Sequence, residues 1–101
     1  MGNRLNLDAI FEKLLGSNEV YFQPPASVKM QYPAIVYRRY NINNEHADDE
    51  VYMQSLEYEV IVIDRDPDSE IVMKVSRLPR CRHERHYTAD GLNHDAFKLI
   101  Y

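Results

Sequence analysis

The stretch from Tyr52 to Asp64 constrains the fold more than any other part of the chain, because its side chains alternate as they do in a β-strand. Apolar residues recur on one side, at Tyr52, Leu56, Tyr58, Val60 and Val62. The other side carries Glu57 and Glu59 before Ile61 and Ile63 make both sides apolar. We therefore expect a strand that is solvated on one face at its start and covered on both faces at its end.

Periodicity and turn signals place the remaining elements around this strand. We predict helices over 3–15 and from the 66–70 region to Pro79, and strands over 20–22, 34–42, 52–64, 81–88 and 92–101. The order α-β-β-β-α-β-β predicts a single α+β domain over 1–101, with both helices packed on one face of a mainly antiparallel sheet of about four to five strands. Pro24 and Pro25 place the short strand at an edge or near a turn.

Two connecting segments carry clustered carboxylates. Asp66 is the expected cap of the second helix and Pro67 suits its first position, since proline has the φ that a helix start needs. The segment 43–50 has no apolar periodicity and concentrates negative charge, so we expect a loop there. Between the last two strands, Gly91 favours a tight turn because glycine accepts positive φ.

Composition excludes several classes of protein. The 101 residues suffice for one modest core, and no apolar run approaches the roughly 20 residues that span a bilayer. The first residues lack the features of a signal peptide, and the one cysteine, Cys81, makes no intramolecular disulfide, so we expect a cytosolic product. The net charge of −4 counts against nonspecific binding to duplex DNA. A final strand that ends on Tyr101 leaves little room for a flexible C-terminal tail.

Metal ligation is the first chemical function to consider. The candidate ligands are Cys81, His83, His86 and His94. In a regular strand Cys81 and His83 share a face and His86 points to the other, although His94 on the next strand can still face one of them. We favour polar strand positions and predict no cofactor. A metal-dependent regulator or enzyme that uses Cys81, His83 and His94 is the rival interpretation.

Other catalytic patterns are weaker. The alternating Asp64, Asp66 and Asp68 resemble the start of a calcium loop, but Val75 stands where a closing carboxylate belongs. Glu57 and Glu59 are better explained as a solvated face or as partners of arginines on an adjacent strand or subunit. The sequence has three glycines, no glycine-rich phosphate loop and no nucleophile motif, so we predict that the protein is not an enzyme.

The sequence indicates protein–protein contacts more strongly than it indicates catalysis or metal binding. Eight tyrosines and no tryptophan are consistent with protein interfaces, and Tyr37 and Tyr40 lie in a strand with apolar residues on both sides. Further candidates are the acidic residues Glu45, Asp48, Asp49 and Glu50 and the basic residues Arg77, Arg80, Arg82 and Arg85. We expect the acidic segment of one copy to contact the arginine-rich surface of a neighbouring copy.

The sequence resembles the tail terminator proteins of long-tailed bacteriophages and prophages, also called tail-completion or head-tail joining proteins. The resemblance spans nearly the whole chain. In the first half it rests on the opening amphipathic helix and on the segments Val20-Tyr21-Phe22-Gln23-Pro24-Pro25 and Tyr32-Pro33-Ala34-Ile35-Val36-Tyr37. In the second half it rests on the segment from Tyr58 to Ser69, with its Asp64-Arg65-Asp66-Pro67-Asp68-Ser69 turn, and on Leu92-Asn93-His94-Asp95 leading to the final tyrosine. Confusion with another small neck protein, an adaptor or a stopper, is the nearest alternative.

The resemblance implies a structural virion protein of the neck, assembled in the bacterial cytoplasm. Identical copies would form a ring, commonly a hexamer, on the head-proximal end of the tail tube. Its partners would be other copies of itself, the tail tube protein and the head-completion or stopper protein, with DNA passing through the lumen without sequence-specific binding and with no membrane involved. A monomeric binding module that meets a host protein through its tyrosines is a third class.

Overall fold

Two helices and five strands follow one another in the predicted order in the computed structural model, which describes residues 4–47 and 50–101. They are α1 (Arg4–Leu15), β1 (Val20–Phe22), β2 (Ala34–Ala47), β3 (Glu50–Asp64), α2 (Glu70–Ser76), β4 (Cys81–Ala89) and β5 (Leu92–Ile100). The strands form one sheet in the order β1-β2-β3-β5-β4, in which only the β1–β2 pair is parallel. The predicted α+β fold is confirmed.

Both helices pack on one side of the sheet, which we call the helix face. Leu7 and Phe11 from α1 and Val75 from α2 belong to the same buried cluster as the side chains of the central strands. The strand members of this cluster are Ile35, Tyr37, Tyr58, Val60, Val62, Phe97 and Leu99. Burying an apolar side chain of this size stabilises a fold by roughly 1.5–3 kcal/mol, so this one layer dominates the stability of the domain.

Tyr37 lies at the centre of this core. Its ring is 1% exposed and stands edge-on to Phe11 and Tyr58, at centroid distances of 5.1 Å and 5.9 Å. Its hydroxyl donates a 2.7 Å hydrogen bond to Asp8 of α1. The prediction that Tyr37 contributes to an interface is therefore wrong, because its ring is already buried inside one copy.

The second helix starts later than predicted. Side-chain oxygens of Asp64 and Asp66 accept hydrogen bonds from the backbone N–H two residues further on, at 3.1 Å and 2.9 Å. Such local bonds favour turns over helix, so the aspartates form consecutive turns and α2 begins only at Glu70. Ser69 is its N-cap residue, without a side-chain capping bond. The prediction that Asp66 caps the helix is wrong.

The β4–β5 hairpin has the tight turn that was predicted. Ala89 pairs with Leu92, and the two residues between them, Asp90 and Gly91, have φ values of 54° and 74°. Two positive φ values are typical of the hairpin turn whose twist matches the flanking strands. At the end of β5 the backbone N–H of Tyr101 donates to the carbonyl oxygen of Leu56 at 2.9 Å, which ties the last residue to β3.

The predicted loop over 43–50 is replaced by a long hairpin. β2 continues to Ala47, β3 begins at Glu50, and their pairing extends to the Ala47–Glu50 pair. The loop prediction is wrong for 43–47 and 50, while Asp48 and Asp49 lie outside the described residues. Strand pairing of this kind is held by backbone hydrogen bonds, which form without any apolar alternation of the side chains.

Candidate interaction surface: the open sheet face and the arm

The side of the sheet opposite the helices, here called the open face, carries a row of charged residues across four strands. Directly paired residues share a face of a sheet. Arg38 pairs with Glu59, Glu59 pairs with Lys98, and Lys98 pairs with Arg82. This charged row therefore contains three cations and one carboxylate.

Glu59 lies close to two of the three cations of the charged row. The Arg38 Nε lies 2.9 Å from its Oε1, and the Lys98 Nζ lies 3.9 Å from its Oε2. The Lys98 ammonium also lies over the ring of Tyr40, 2.8 Å from the centroid, an arrangement that attracts a cation to the aromatic face. The expected pairing of Glu59 with Arg38 is confirmed, whereas Arg39 pairs across the strands with Tyr58 and so belongs to the helix face.

The four predicted arginines surround the β4 edge, and all are exposed. Arg77 is the C-cap residue of α2, and Arg80 precedes β4 with a φ of 58°. The Arg82 Nε lies 3.1 Å from Glu84 Oε1, and the Arg85 guanidinium lies 5.1 Å from the centroid of the Tyr87 ring. They form a surface of positive charge at one end of the sheet, not a single binding point.

A cleft of about 530 Å³ opens within this surface. We call it the basic cleft; it is lined by Glu57, Arg80, Cys81, Arg82, Lys98 and Ile100. Sequence reasoning missed Lys98, which is a lone cation between Phe97 and Leu99 in an apolar strand. Because Lys98 alternates with those two buried residues, the sequence indicates that it lies on the opposite face of the strand. The strand register that places it beside Arg82 cannot be read from the sequence.

The hairpin of β2 and β3 extends past the rest of the sheet. β1 pairs with β2 only at residues 35–37, and β5 pairs with β3 only from Glu57 onward. Within the described residues, no third strand pairs with residues 41–47 and 50–55, which we call the arm; the next residue, Leu56, is bonded to Tyr101. The molecule measures 51 Å in its longest dimension against 24 Å and 23 Å in the others. The structure therefore shows a two-stranded ribbon that projects from the sheet.

The candidate residues on β2 and in the arm have different surroundings. Tyr40, beside Lys98 at the arm's base, is 54% exposed, and Ile42 on the arm is 42% exposed. The backbones of Glu45 and Glu50 lie in the arm, paired with Met53 and Ala47 respectively. Tyr40 thus keeps the surface position that an interface residue needs, in contrast to the buried Tyr37.

The candidate metal ligands do not converge. A bulge between His83 and Arg85 returns His86 to the helix face together with Cys81 and His83, so the predicted alternation at His86 is wrong. His94 lies on the open face and stacks on Tyr87 at 4.8 Å. The three residues of the rival metal site therefore lie on two sides of the sheet. Across 4–47 and 50–101, no group of three His, Cys, Asp or Glu side chains is placed to hold a metal ion.

The individual side chains at this edge have other partners. The His83 Nε2 lies 3.0 Å from Asp95 Oδ1, and its ring stands edge-on to Phe97. Burial raises the pKa of the Cys81 thiol to about 11. At neutral pH the thiol is thus protonated, and a protonated thiol is a poor nucleophile and metal ligand.

Comparison with known proteins does not assign the chain to a family. No protein-family model matches it, and no curated protein gives a significant match. Neither helix of the described residues has the length and apolar character that crossing a membrane requires.

Proposed function

We propose that this chain is a tail terminator of a long-tailed bacteriophage or prophage. Identical copies form a ring, a hexamer on this proposal, at the head-proximal end of the tail tube. The ring ends tube polymerisation and offers the surface to which the DNA-filled head is joined. The net charge of −4 limits adhesion of the DNA that passes through the lumen.

The observation that carries the proposal is the arm. An isolated two-stranded ribbon is at best marginally stable in water, and its outer edges offer unpaired backbone groups to other chains. Here residues 41–47 of β2 and 50–55 of β3 project without a third strand among the described residues. A protein whose work is assembly gains from such an element, because contact with a neighbour covers it.

The arrangement of the two surfaces favours a ring over a simple dimer. The arm extends from the inner strands β2 and β3, whereas the arginine surface lies along β4 at one edge of the sheet. When two different surfaces of identical copies meet, the contact is head-to-tail, and it closes into a ring if the rotation per copy divides the circle. On this proposal, the arm and the arginine surface are the two halves of the contact between neighbouring copies.

The first test is the mass of the purified protein by light scattering over a range of concentrations. Six copies of the 12.0 kDa chain form a particle of about 72 kDa. We expect that particle, or a monomer that converts to it when tail tubes are added. A monomer that persists in the presence of tail tubes contradicts the proposal and favours a monomeric binding module.

The second test is deletion of the gene from the phage or prophage that encodes it, followed by electron microscopy of the particles. A terminator ends tube growth, so its loss is expected to give tails of abnormal and variable length that are not joined to heads. Loss of an adaptor or stopper instead leaves tails of normal length that lack heads. Normal, joined virions in the deletion strain refute any role in the neck.

A further inference from the structure

We propose that the basic cleft is the receptor for the acidic stretch Glu45–Glu50 of a second copy. This inference rests on the proposed ring and names the two surfaces that close it. The contact is electrostatic and specific for a carboxylate-rich segment presented at the end of a β-ribbon.

The cleft holds cations that an incoming carboxylate can reach. Arg80 is exposed and has no ion pair among the described side chains. Arg82 pairs with Glu84, but its side chain is 75% exposed, and ion pairs this exposed contribute little and exchange readily. Lys98 forms the floor, with its ammonium between Glu59 and the ring of Tyr40.

The carboxylates at the cleft do not cancel this charge. Glu57 lines the cleft, Glu59 is engaged by Arg38 and Lys98, and Glu84 is engaged by Arg82. Arg77 and Arg85 add further positive charge on the same edge of the molecule. An approaching acidic segment therefore meets a surface on which cations outnumber carboxylates and Arg80 is available without breaking an existing pair.

The arm cannot place its acidic end in its own cleft. Glu57, which lines the cleft, pairs with Asn41 where the arm begins. Glu50 lies seven residues further along β3, and a strand advances about 3.3 Å per residue, so its backbone is roughly 23 Å from the cleft wall. A paired ribbon does not bend back over that distance. A contact between this segment and the cleft therefore joins two different copies.

The occupant matches the cleft in charge. From Glu45 to Glu50 the sequence has four carboxylates, one histidine and one alanine, and no Lys or Arg. Complementary charge of this kind steers association and fixes which surfaces meet, and it is weakened by salt when the groups are exposed.

The test uses two charge-reversed variants of the full chain, each with one reversed surface. Arg80→Glu with Arg82→Glu reverses the cleft, and Asp48→Lys with Asp49→Lys and Glu50→Lys reverses the arm, whose acidic stretch then has three lysines and one glutamate. Each variant alone is expected to remain monomeric where the wild type forms the ring, with the dissociation constant per contact raised at least tenfold. An equimolar mixture of the two is expected to recover the particle, since each variant's arm is complementary to the other's cleft.

A matched control distinguishes the cleft from general positive charge. Lys13→Glu with Lys29→Glu makes the same change in net charge at exposed positions outside both the cleft and the arginine surface, and is expected to assemble like the wild type. Thermal melting by circular dichroism checks that each variant folds, and Arg82→Glu alone replaces the double cleft variant if that one does not. The inference is overturned if a folded cleft variant assembles normally, if the control loses the particle as well, or if the mixture stays monomeric. A wild-type chain that never assembles is a different result, because it refutes the proposed function itself.

Discussion

The Tyr37–Asp8 hydrogen bond joins α1 to the centre of the sheet, and Tyr37→Phe removes it without disturbing the ring. The hydroxyl donates to Asp8 at 2.7 Å, and the ring is 1% exposed. A hydrogen bond to a charged group contributes about 1.5–3 kcal/mol. The Asp8 side chain is 22% exposed and lies 3.8 Å from Arg4, so water and that guanidinium compensate in part. We therefore expect the free energy of unfolding to fall by about 1–2 kcal/mol.

The assay is urea unfolding followed by circular dichroism, with Tyr40→Phe as the matched control. Tyr40 is 54% exposed, so losing its hydroxyl is expected to change the free energy of unfolding by less than about 0.5 kcal/mol. In a double-mutant cycle with Asp8→Ala, the coupling energy should be about 1 kcal/mol. If Tyr37→Phe unfolds like the wild type, or if the two substitutions have additive effects on the free energy of unfolding, the hydrogen bond does not stabilise the packing of α1 on the sheet.

Three further predictions concern the same core and its edge. Because burial raises the pKa of Cys81 to about 11 from an ordinary 9.0, its thiolate fraction at pH 8 is about 100-fold below that of the unfolded chain. Reaction with a disulfide reagent should slow accordingly, and equal rates in buffer and in urea would refute this. Phe97→Ala should cost about 3–5 kcal/mol in thermal or urea unfolding, whereas Met73→Ala, at a side chain 55% exposed, should cost under about 1 kcal/mol. Burial, and then the hydrogen bond to Asp8, raise the pKa of Tyr37. Folding therefore keeps this tyrosine protonated at pH values at which it ionises in the unfolded chain, so the free energy of unfolding should fall as the pH rises above about 10. Tyr37→Phe should show a smaller fall in the free energy of unfolding over the same pH range.

The sequence predicted the fold well where a side-chain pattern reflects a buried layer. The alternation over 52–64 places Tyr58, Val60 and Val62 on one side, and the structure buries all three under the helices. The prediction failed over 43–47 and at Glu50, where backbone pairing continues through a segment whose sequence has no apolar alternation. It failed again before α2, since aspartates that can cap a helix can equally form turns among themselves.

The interaction surface was only partly predictable, because it depends on strand register. Sequence alternation correctly placed Tyr37 and Tyr40 on opposite sides of one strand, but it does not say which side the helices cover. One bulge between His83 and Arg85 reversed the expected side of His86. Lys98 joins the arginines only through its pairing with Arg82 across two strands. Such pairings link residues far apart in the chain, and a one-residue shift moves every side chain to the other face.

The arm's acidic end has a second consequence for assembly. A ribbon with two open edges is prone to pair with any other strand, and charged side chains are one way that proteins prevent this. Four carboxylates within residues 45–50 repel a second arm that approaches end to end, while in the proposed contact the cations of the basic cleft attract it. The same charges therefore disfavour arm-to-arm aggregation and favour one head-to-tail contact. Because an isolated two-stranded ribbon is at most marginally stable in water, binding to the cleft in the proposed ring would also order the arm, and ring closure would then be coupled to the final structure of each copy.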